Sequence, residues 1–308
     1  MAAYELATST LGAPGEPLDQ VVATLTQAGI RTVEVRAAAD ALVYAHMPPG
    51  RRVAVRQRLA EAGIEVLAIA SSVKVAAVGS PSDRTRPLDE LASLTTGWGI
   101  RQLKQDPVVV DLLAHLTLAR DLGARRVRVF PGAVALPTTP DRVPAVIGDR
   151  GRVEELAARR LAYAVRATAD FGVWLVLETH DSHPRGVDIA RILHRVAELV
   201  PGQRLGAVWD ALHPWRVGEA PADTWAALAP YVLDGRGYVQ IKDVASPRTL
   251  TPVLQGKGTL PLAEIVEVLR AGGYAGPLSL EWERTWFPQI PPLPTALAAA
   301  RRALDGVA

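Results

Sequence analysis

The chain has 308 residues, of which 49% are hydrophobic and 21% charged, so it can fold around a large core. Its 34 Lys and Arg residues nearly balance 32 Asp and Glu residues, and the net charge of +2 gives no electrostatic reason to expect a nucleic-acid partner. Cysteine is absent, which excludes thiolate metal ligands. The sequence shows neither a signal peptide nor an apolar run of the ~20 residues that cross a bilayer, so we expect a cytoplasmic protein without a membrane partner.

Short apolar runs alternate with longer amphipathic segments along the whole chain. The predicted strands are Tyr4–Thr10, Thr32–Arg36, Val66–Ser71, Arg126–Phe130, Val173–Glu178, Leu205–Asp210, Tyr238–Lys242 and Leu278–Trp282. Several are apolar almost throughout, which is typical of parallel strands covered on both faces. The predicted helices include Leu18–Ala28, Arg51–Ala62, Val108–Leu122, Val153–Phe171, Leu262–Ala271 and Thr295–Leu304. All but the last are followed by a glycine, as expected of helices that end in the left-handed conformation.

Eight such strand–helix units predict a closed (β/α)₈ TIM barrel, with residues 1–308 forming one domain. The alternative is an open doubly wound sheet, but residues 8–13 lack the glycine-rich phosphate loop that such a sheet carries after its first strand. Gly79–Asp106 and Pro131–Arg152 exceed normal loop lengths and follow strand ends. We expect both to lie over the active face of the barrel, where they would serve as lids.

Polar residues end the predicted strands of the second half. Glu178, Asp210, Gln240 and Glu281 come from four consecutive strands, spaced by 32, 30 and 41 residues. Catalytic groups of TIM barrels lie at these strand ends, and carboxylates gathered there would repel each other without a cation between them. The pattern predicts one divalent metal ion, with Mn²⁺ or Mg²⁺ favoured over Co²⁺ or Zn²⁺ because no histidine occupies the four positions. Each acid taken alone would also suit a helix cap or an ion pair.

The same residues carry a family resemblance. Glu-Thr-His (178–180), Trp-Asp-x-x-His-Pro (209–214), Gln-Ile-Lys-Asp (240–243) and Leu-Glu-Trp (280–282) resemble, in order and spacing, the xylose-isomerase-like barrels of sugar phosphate isomerases and epimerases. The resemblance spans nearly the whole chain and is strongest over residues 173–284. It implies that Glu178, Asp210, Gln240 and Glu281 bind one metal ion, and that His213 contacts substrate. Gln240 departs from the commonest pattern, which has histidine there.

A metal ion at these strand ends would polarise a substrate carbonyl and stabilise the enediolate formed by removal of a neighbouring proton. Glu178 and Glu281 are the predicted proton-transfer residues, with His213 as a third catalytic candidate. The predicted substrate is a small sugar or a cyclic polyol or keto compound. His180, His183, Lys242 and Arg248 are predicted to bind it, and Glu34 and Lys74 are expected to point at the same end of the barrel.

Several functions share this chemistry or this fold. The first hypothesis is a metal-dependent isomerase or epimerase. The second is a metal-dependent lyase, either a dehydratase acting on an inosose or 3-dehydroshikimate or an enzyme that cleaves 3-keto-glycosides, and Gln240 leans toward it. An endonuclease-IV-like repair enzyme would need a histidine-rich zinc cluster, and a non-catalytic barrel would not need Glu178 and Glu281. Barrels of this type often pair through helices and loops, so a homodimer stays open.

Overall fold

Eight parallel strands close into a barrel in the computed structural model, which describes residues 4–77, 100–132, 134–135, 145–146 and 149–307. The barrel strands are β1 (Leu6–Ser9), β2 (Thr32–Arg36), β3 (Glu65–Lys74), β4 (Arg126–Phe130), β5 (Trp174–Glu178), β6 (Leu205–Asp210), β7 (Tyr238–Ile241) and β8 (Leu278–Leu280). Closure comes from β8, which pairs with β7 on one side and with β1 on the other. The predicted TIM barrel is therefore confirmed.

Helices connect the strands. They are α1 (Leu18–Gln27), α2 (Pro49–Glu61), α3 (Ile100–Gln105), α4 (Pro107–Leu122), α5 (Arg150–Ala167), α6 (Gly186–Leu199), α7 (Leu212–Arg216), α8 (Pro221–Val232), α9 (Leu262–Ala271) and α10 (Leu293–Asp305). In the part of the chain that the structure describes, no helix combines the length and the apolar character needed to cross a membrane.

Most helix ends lie within two or three residues of the prediction, and two helices differ in how they end. Val153–Phe171 is not one helix, because Thr168 leaves the helical conformation and a short 3₁₀ turn, Ala169–Phe171, precedes Gly172. After α9 the left-handed residue is Gly273, with φ 75°, whereas Gly272 keeps a negative φ. That helix ends at Ala271 as predicted, but its left-handed residue is the second glycine after it and not the first.

The two long connections are described only in part. The first contains α3, and its residues 79–99 lie outside the described residues. In the second, Val134–Ala135 pairs antiparallel with Ala145–Val146, α5 begins at Arg150, and residues 133, 136–144 and 147–148 lie outside the described residues. Their predicted function as lids stays a prediction.

The alternation of side chains along the strands positions the polar strand ends. Residues two apart face the same side of a barrel wall. Val176, Val208 and Tyr238 belong to one buried apolar cluster. Glu178 and Asp210 lie two residues beyond the two valines, so they face the same side one layer nearer the carboxyl ends of the strands. We call this end of the barrel the mouth.

Candidate active site

Four neighbouring strands bring the four predicted metal ligands to the mouth. Glu178 and Asp210 are the last residues of β5 and β6, Gln240 lies in β7, and Glu281 follows β8 directly. Gln240 pairs in register with Asp210 on one side, and the backbone N–H of Glu281 donates to the carbonyl oxygen of Ile241 over 3.0 Å. All four side chains are buried, which makes the charge of each carboxylate costly unless it is compensated.

Arg128, in β4, is one compensating cation. Its Nε lies 3.0 Å from Oε2 of Glu178, and its Nη2 lies 4.0 Å from Oε1 of Glu281. Sequence reasoning missed this residue. The available signal was Arg-Val-Arg-Val-Phe (126–130), where arginines alternate with valines in a strand expected to be buried on both faces. An arginine facing the barrel interior needs acidic partners there.

Lys242 is the second cation. Its Nζ lies 2.9 Å from Oδ2 of Asp210 and 2.7 Å from Oε1 of Glu283, and it also donates a hydrogen bond to Glu281. The strand-end carboxylates were expected to need a cation between them, and Arg128 and Lys242 supply part of that positive charge. Lys242 contacts three carboxylates and is almost completely buried, and its predicted contact with substrate stays a prediction.

These contacts lower the pKa of two of the carboxyl groups, whereas that of the third is raised. Burial opposes the ionisation of Asp210, but Lys242 and His213 outweigh burial and hold its pKa below the usual range. The pKa of Glu281 is likewise lowered, since Lys242 and Arg128 outweigh burial. Burial raises the pKa of Glu178 well above its ordinary value, because Arg128 offsets only part of the desolvation.

Gln240 is oriented by a carboxylate deeper in the barrel. Its Nε2 donates to both oxygens of Glu34 over 3.2 and 3.0 Å, while Tyr238 (2.5 Å) and Ser279 donate to the same carboxylate. The amide nitrogen must face Glu34, because an amide oxygen there would meet carboxylate oxygens. Gln240 Oε1 consequently points elsewhere, is buried and has no hydrogen-bond partner. Glu34 thus supports Gln240 from below.

Two histidines lie beside Glu178. His213, at the start of α7, has its Nε2 3.2 Å from Oδ2 of Asp210, and its ring centre is 4.4 Å from that of His180. Glu178, His180 and His213 each offer a ligand atom, and these atoms lie within 4.8 Å of one another. Burial lowers the pKa of His213 to about 4, so the ring is neutral near pH 7 and its nitrogen lone pair is available.

His183 and Arg248 lie outside this cluster. His183 is fully buried, with Nδ1 2.7 Å from the hydroxyl of Ser182 and Nε2 3.3 Å from a carboxylate oxygen of Glu154. These contacts direct its ring toward α5 instead of the mouth. Arg248 is exposed and lines a surface cleft with Trp215 and other residues of the loops after β6 and β7. The predicted contacts of both residues with substrate stay predictions.

Lys74 ends β3 at the mouth, as expected. Its Nζ lies 3.6 Å from Oδ2 of Asp181, and Asp181 Oδ1 lies 2.9 Å from Nδ1 of His180. Asp181 adopts a left-handed backbone conformation with φ 47°, which is uncommon for a residue other than glycine. The loop after β5 therefore carries a short chain of polar contacts from Lys74 to His180.

The donor chemistry fits a divalent cation. Among the described residues, Oε1 of Glu178 and Oε1 of Gln240 are buried without a hydrogen-bond or ion-pair partner, whereas Oδ2 of Asp210 meets Lys242 and Oε2 of Glu178 meets Arg128. Buried polar atoms in native proteins are nearly always satisfied, so a cluster of unsatisfied acceptors indicates a ligand. Carboxylate, imidazole and amide oxygen are all established metal ligands.

The family model described as Xylose isomerase-like TIM barrel matches residues 22–306. The chain belongs to this family. The resemblance inferred from the strand-end motifs is thereby confirmed for nearly the whole length of this xylose isomerase-like barrel.

One curated relative is the rhizopine catabolism protein MocC of Rhizobium meliloti. It is 29% identical over 214 residues, which are 62% of this xylose isomerase-like barrel. The match spans about 63% of the length of that relative.

Three solved structures share the fold. L-ribulose 3-epimerase is 20% identical with a TM-score of 0.67, over 100% of this chain and 94% of the other. The IolI protein with a bound zinc atom is 14% identical with a TM-score of 0.69, over 98% and 97%. The probable 3-DHS dehydratase AsbF, involved in petrobactin synthesis in Bacillus anthracis, is 15% identical with a TM-score of 0.64, over 98% and 97%.

Proposed function

We propose that this protein is a divalent-metal-dependent isomerase or epimerase acting on a sugar or keto-sugar. The observation that carries the proposal is the charge balance of the mouth. In the described part of the chain, four buried or half-buried carboxylates there, Glu178, Asp210, Glu281 and Glu283, form ion pairs with two permanently charged side chains, Arg128 and Lys242. Two negative charges are left over, which is the charge that one divalent cation would balance.

A bound divalent ion would supply Lewis acidity at a substrate carbonyl, which makes the adjacent C–H bond more acidic. Glu178 and Glu281 end strands separated by β6 and β7, so they flank a substrate that lies across those two strands. One carboxylate can accept the proton and the other can return it to the opposite face or to the neighbouring carbon. His213, between them on the β6 side, can hydrogen-bond a substrate oxygen.

The epimerase structures that share the fold support this choice of reaction. L-ribulose 3-epimerase and the D-allulose 3-epimerase of Methylomonas sp. match 100% of this chain and 94% and 98% of their own chains, with TM-scores of 0.67 and 0.64. A sugar or cyclic polyol substrate is consistent with the names of these proteins and with the rhizopine-related relative.

A lyase is the second candidate. Gln240 replaces the histidine that the commonest family pattern has, and its unpartnered Oε1 adds an acceptor where a substrate hydroxyl could bind. A β-hydroxyl leaving from the deprotonated substrate would turn the same proton transfer into a dehydration. The fold shared with the probable 3-DHS dehydratase supports this alternative.

The two reactions are separated by incubating the purified protein, supplied with Mn²⁺, with keto-sugars and cyclic polyol ketones in D₂O. An isomerase or epimerase gives products that keep all carbons and oxygens and carry deuterium at the carbon that exchanges its proton. A lyase gives an alkene or releases a group. Product formation that is unaffected by a chelator would contradict metal dependence for either reaction.

Glu281→Gln tests the catalytic assignment. The amide keeps the size of the side chain but cannot accept a proton, so we expect turnover to fall at least about 10³-fold while the fold is retained. Glu264→Gln, an exposed acid in the first turn of α9, is the matched control and should leave turnover unchanged. Circular dichroism checks the fold, and an active Glu281→Gln protein would remove Glu281 from the mechanism.

A further inference from the structure

Glu34 is a fully buried carboxylate that lies inside the barrel, below the mouth. Three neutral side chains donate hydrogen bonds to it, namely Tyr238 over 2.5 Å, Gln240 over 3.2 and 3.0 Å, and Ser279. Burial raises the pKa of Glu34, and the hydrogen bonds from Ser279 and Tyr238 offset only part of that rise. An apolar side chain would occupy this position at a lower cost, so the carboxylate oxygens are expected to serve a function.

The contact between Glu34 and Gln240 crosses the barrel interior. Glu34 belongs to β2 and Gln240 to β7, and β1 and β8 lie between these strands in the closed sheet. The backbone of β7 pairs Gln240 in register with Asp210 on one side and with Ser279 on the other. The sheet therefore fixes the height of Gln240 in the barrel, whereas Glu34 fixes the orientation of its amide group.

That orientation decides what Gln240 can bind. An amide has a donor nitrogen and an acceptor oxygen, and a half-turn of the group exchanges them. Because both oxygens of Glu34 accept from Nε2 of Gln240, Oε1 of Gln240 is turned away from Glu34, and it is buried without a hydrogen-bond partner. An amide oxygen can bind a hard cation, but the amide nitrogen offers no free lone pair to one.

We propose that Glu34 is a positioning residue for the metal site, which holds the amide nitrogen of Gln240 so that Oε1 is directed at the divalent ion. The inference rests on the metal dependence proposed above. Glu34 acts only through Gln240 and binds neither the ion nor substrate. Carboxylates that hydrogen-bond to metal ligands commonly have this function, and removing them typically weakens metal binding by 10- to 100-fold.

This orientation also makes the predicted ligand set uniform. With Oε1 of Gln240 directed at the ion, the four predicted ligands Glu178, Asp210, Gln240 and Glu281 all contribute oxygen atoms. Oxygen ligands suit Mn²⁺ and Mg²⁺. Mn²⁺ is therefore the appropriate probe of the site.

The test is a titration of the metal-free full-length protein with Mn²⁺, in which the electron paramagnetic resonance signal of the unbound ion gives the Kd. We expect one ion per chain in the natural protein. Glu34→Gln keeps the size of the side chain, but its amide can donate as well as accept, so Gln240 is free to turn. We expect the Kd to rise at least about 10-fold. Glu264→Gln, which changes an exposed acid of α9, is the matched control and should leave the Kd unchanged.

A double-mutant cycle separates positioning from a simple effect of charge. Gln240→Ala removes the ligand and should also raise the Kd at least about 10-fold. If Glu34 acts through Gln240, adding Glu34→Gln to Gln240→Ala should raise the Kd by less than about 3-fold more. If Glu34 only contributes negative charge to the site, the two effects multiply instead, because the charge acts whether or not Gln240 is present.

Three results would overturn the inference and leave the metal-dependent function standing. They are an unchanged Kd in Glu34→Gln, an unchanged Kd in Gln240→Ala, and effects that multiply in the double variant. No binding of Mn²⁺ by the natural protein would overturn the metal dependence and this inference together. Circular dichroism checks the fold of each variant. If Glu34→Gln does not fold, Glu34→Asp replaces it in the same cycle, since the shorter side chain keeps the charge but withdraws the oxygens from Gln240.

Discussion

Arg128 shows how a single buried side chain shapes the chemistry of the mouth. Its guanidinium lies within reach of Glu178 and Glu281 and stacks over Phe130 with 4.0 Å between the guanidinium carbon and the ring centre. The arginine therefore determines where these two carboxylates lie before any ligand arrives. Desolvation raises the pKa of Glu178, and the charge of Arg128 offsets part of that rise.

Arg128→Met removes this cation while keeping most of the apolar volume. We expect the free energy of unfolding of the metal-free protein to fall by about 3 kcal/mol, because Glu178 is left buried without its ionic partner. Arg125→Met is the control, since Arg125 and its partner Glu65 are both largely exposed and such a pair contributes less than about 1 kcal/mol. Urea unfolding measures both values. Equal losses in the two variants would show that the buried Arg128–Glu178 pair stabilises the protein no more than the exposed Arg125–Glu65 pair.

For single residues, the sequence predicted which side chains reach the mouth better than it predicted what they contact there. Because the carboxyl ends of parallel strands lie at one end of a barrel, the place of Glu178, Asp210, Gln240 and Glu281 at the ends of predicted strands was enough to bring them to the same mouth. The partners depend on which side chains from distant strands meet across the interior, as Arg128 meets Glu178 and Glu34 meets Gln240. Spacing along the chain carries no information about contacts across a barrel.

At the scale of whole elements, α5 and α6 are joined by a polar network as well as by apolar packing. Glu154 of α5 accepts hydrogen bonds of 2.7 Å from Nε and Nη2 of Arg191, on α6, and its Oε1 lies 3.3 Å from His183. Burial opposes the ionisation of Glu154, but His183 and Arg191 outweigh burial and lower its pKa to about 2. The network fixes the loop after β5, which also carries His180.

Glu154→Gln should change how stability depends on pH. A carboxyl whose pKa is lowered on folding stabilises the protein above its unfolded pKa, and this contribution is lost as pH falls from about 4.5 through about 2. Because Arg191 is partly exposed, we expect the loss at pH 7 to be roughly 2 kcal/mol, less than the full shift implies. Urea unfolding between pH 7 and 3 should show a smaller acid-dependent decline in the variant.

The exposed pair of Arg195 and Glu198 on α6 supplies the control. Glu198→Gln should leave both the stability at pH 7 and its acid dependence close to those of the natural protein, because solvent screens this pair. If Glu154→Gln declines with acid as steeply as the natural protein, Glu154 is not the group that titrates in this range.

The Gly256-Lys257-Gly258 segment shows what a motif leaves open at the scale of elements. By itself, this pattern indicates only a short turn before α9. In the structure, the carboxylate of Asp243 accepts hydrogen bonds from the backbone N–H groups of Gly256, Gly258 and Leu260. A Cβ on Gly258 would lie 2.1 Å from that carboxylate, so glycine is required for this approach. The partner, Asp243, could not be identified from the turn alone.

For the whole molecule, the order of the strands could be predicted from the sequence, but the ion pairs at the mouth could not. Eight repeated strand–helix units leave few topologies, and closure of β8 on β1 follows from the barrel. The ion pairs of the mouth depend on long side chains whose orientations only the folded barrel determines. Lys242 is the clearest case, since the sequence predicted it at the end of this strand, where it follows β7 directly, without showing that three carboxylates surround it.

The predicted metal ligands come together only in the folded barrel, so metal binding should stabilise the whole molecule. Glu178 and Glu281 lie 103 positions apart along the chain, at the carboxyl ends of β5 and β8. An ion that binds only the native state, at a free concentration of 100 times its Kd, adds about 2.7 kcal/mol to the free energy of unfolding. For a chain of this size, this corresponds to a rise in Tm of about 5 °C. We expect Mn²⁺ to produce this rise in the natural protein and in the control His194→Asn, which changes an exposed histidine of α6. It should disappear in the double variant Asp210→Asn/Glu281→Gln. A rise of equal size in the double variant would mean that the stabilising ion binds elsewhere on the barrel.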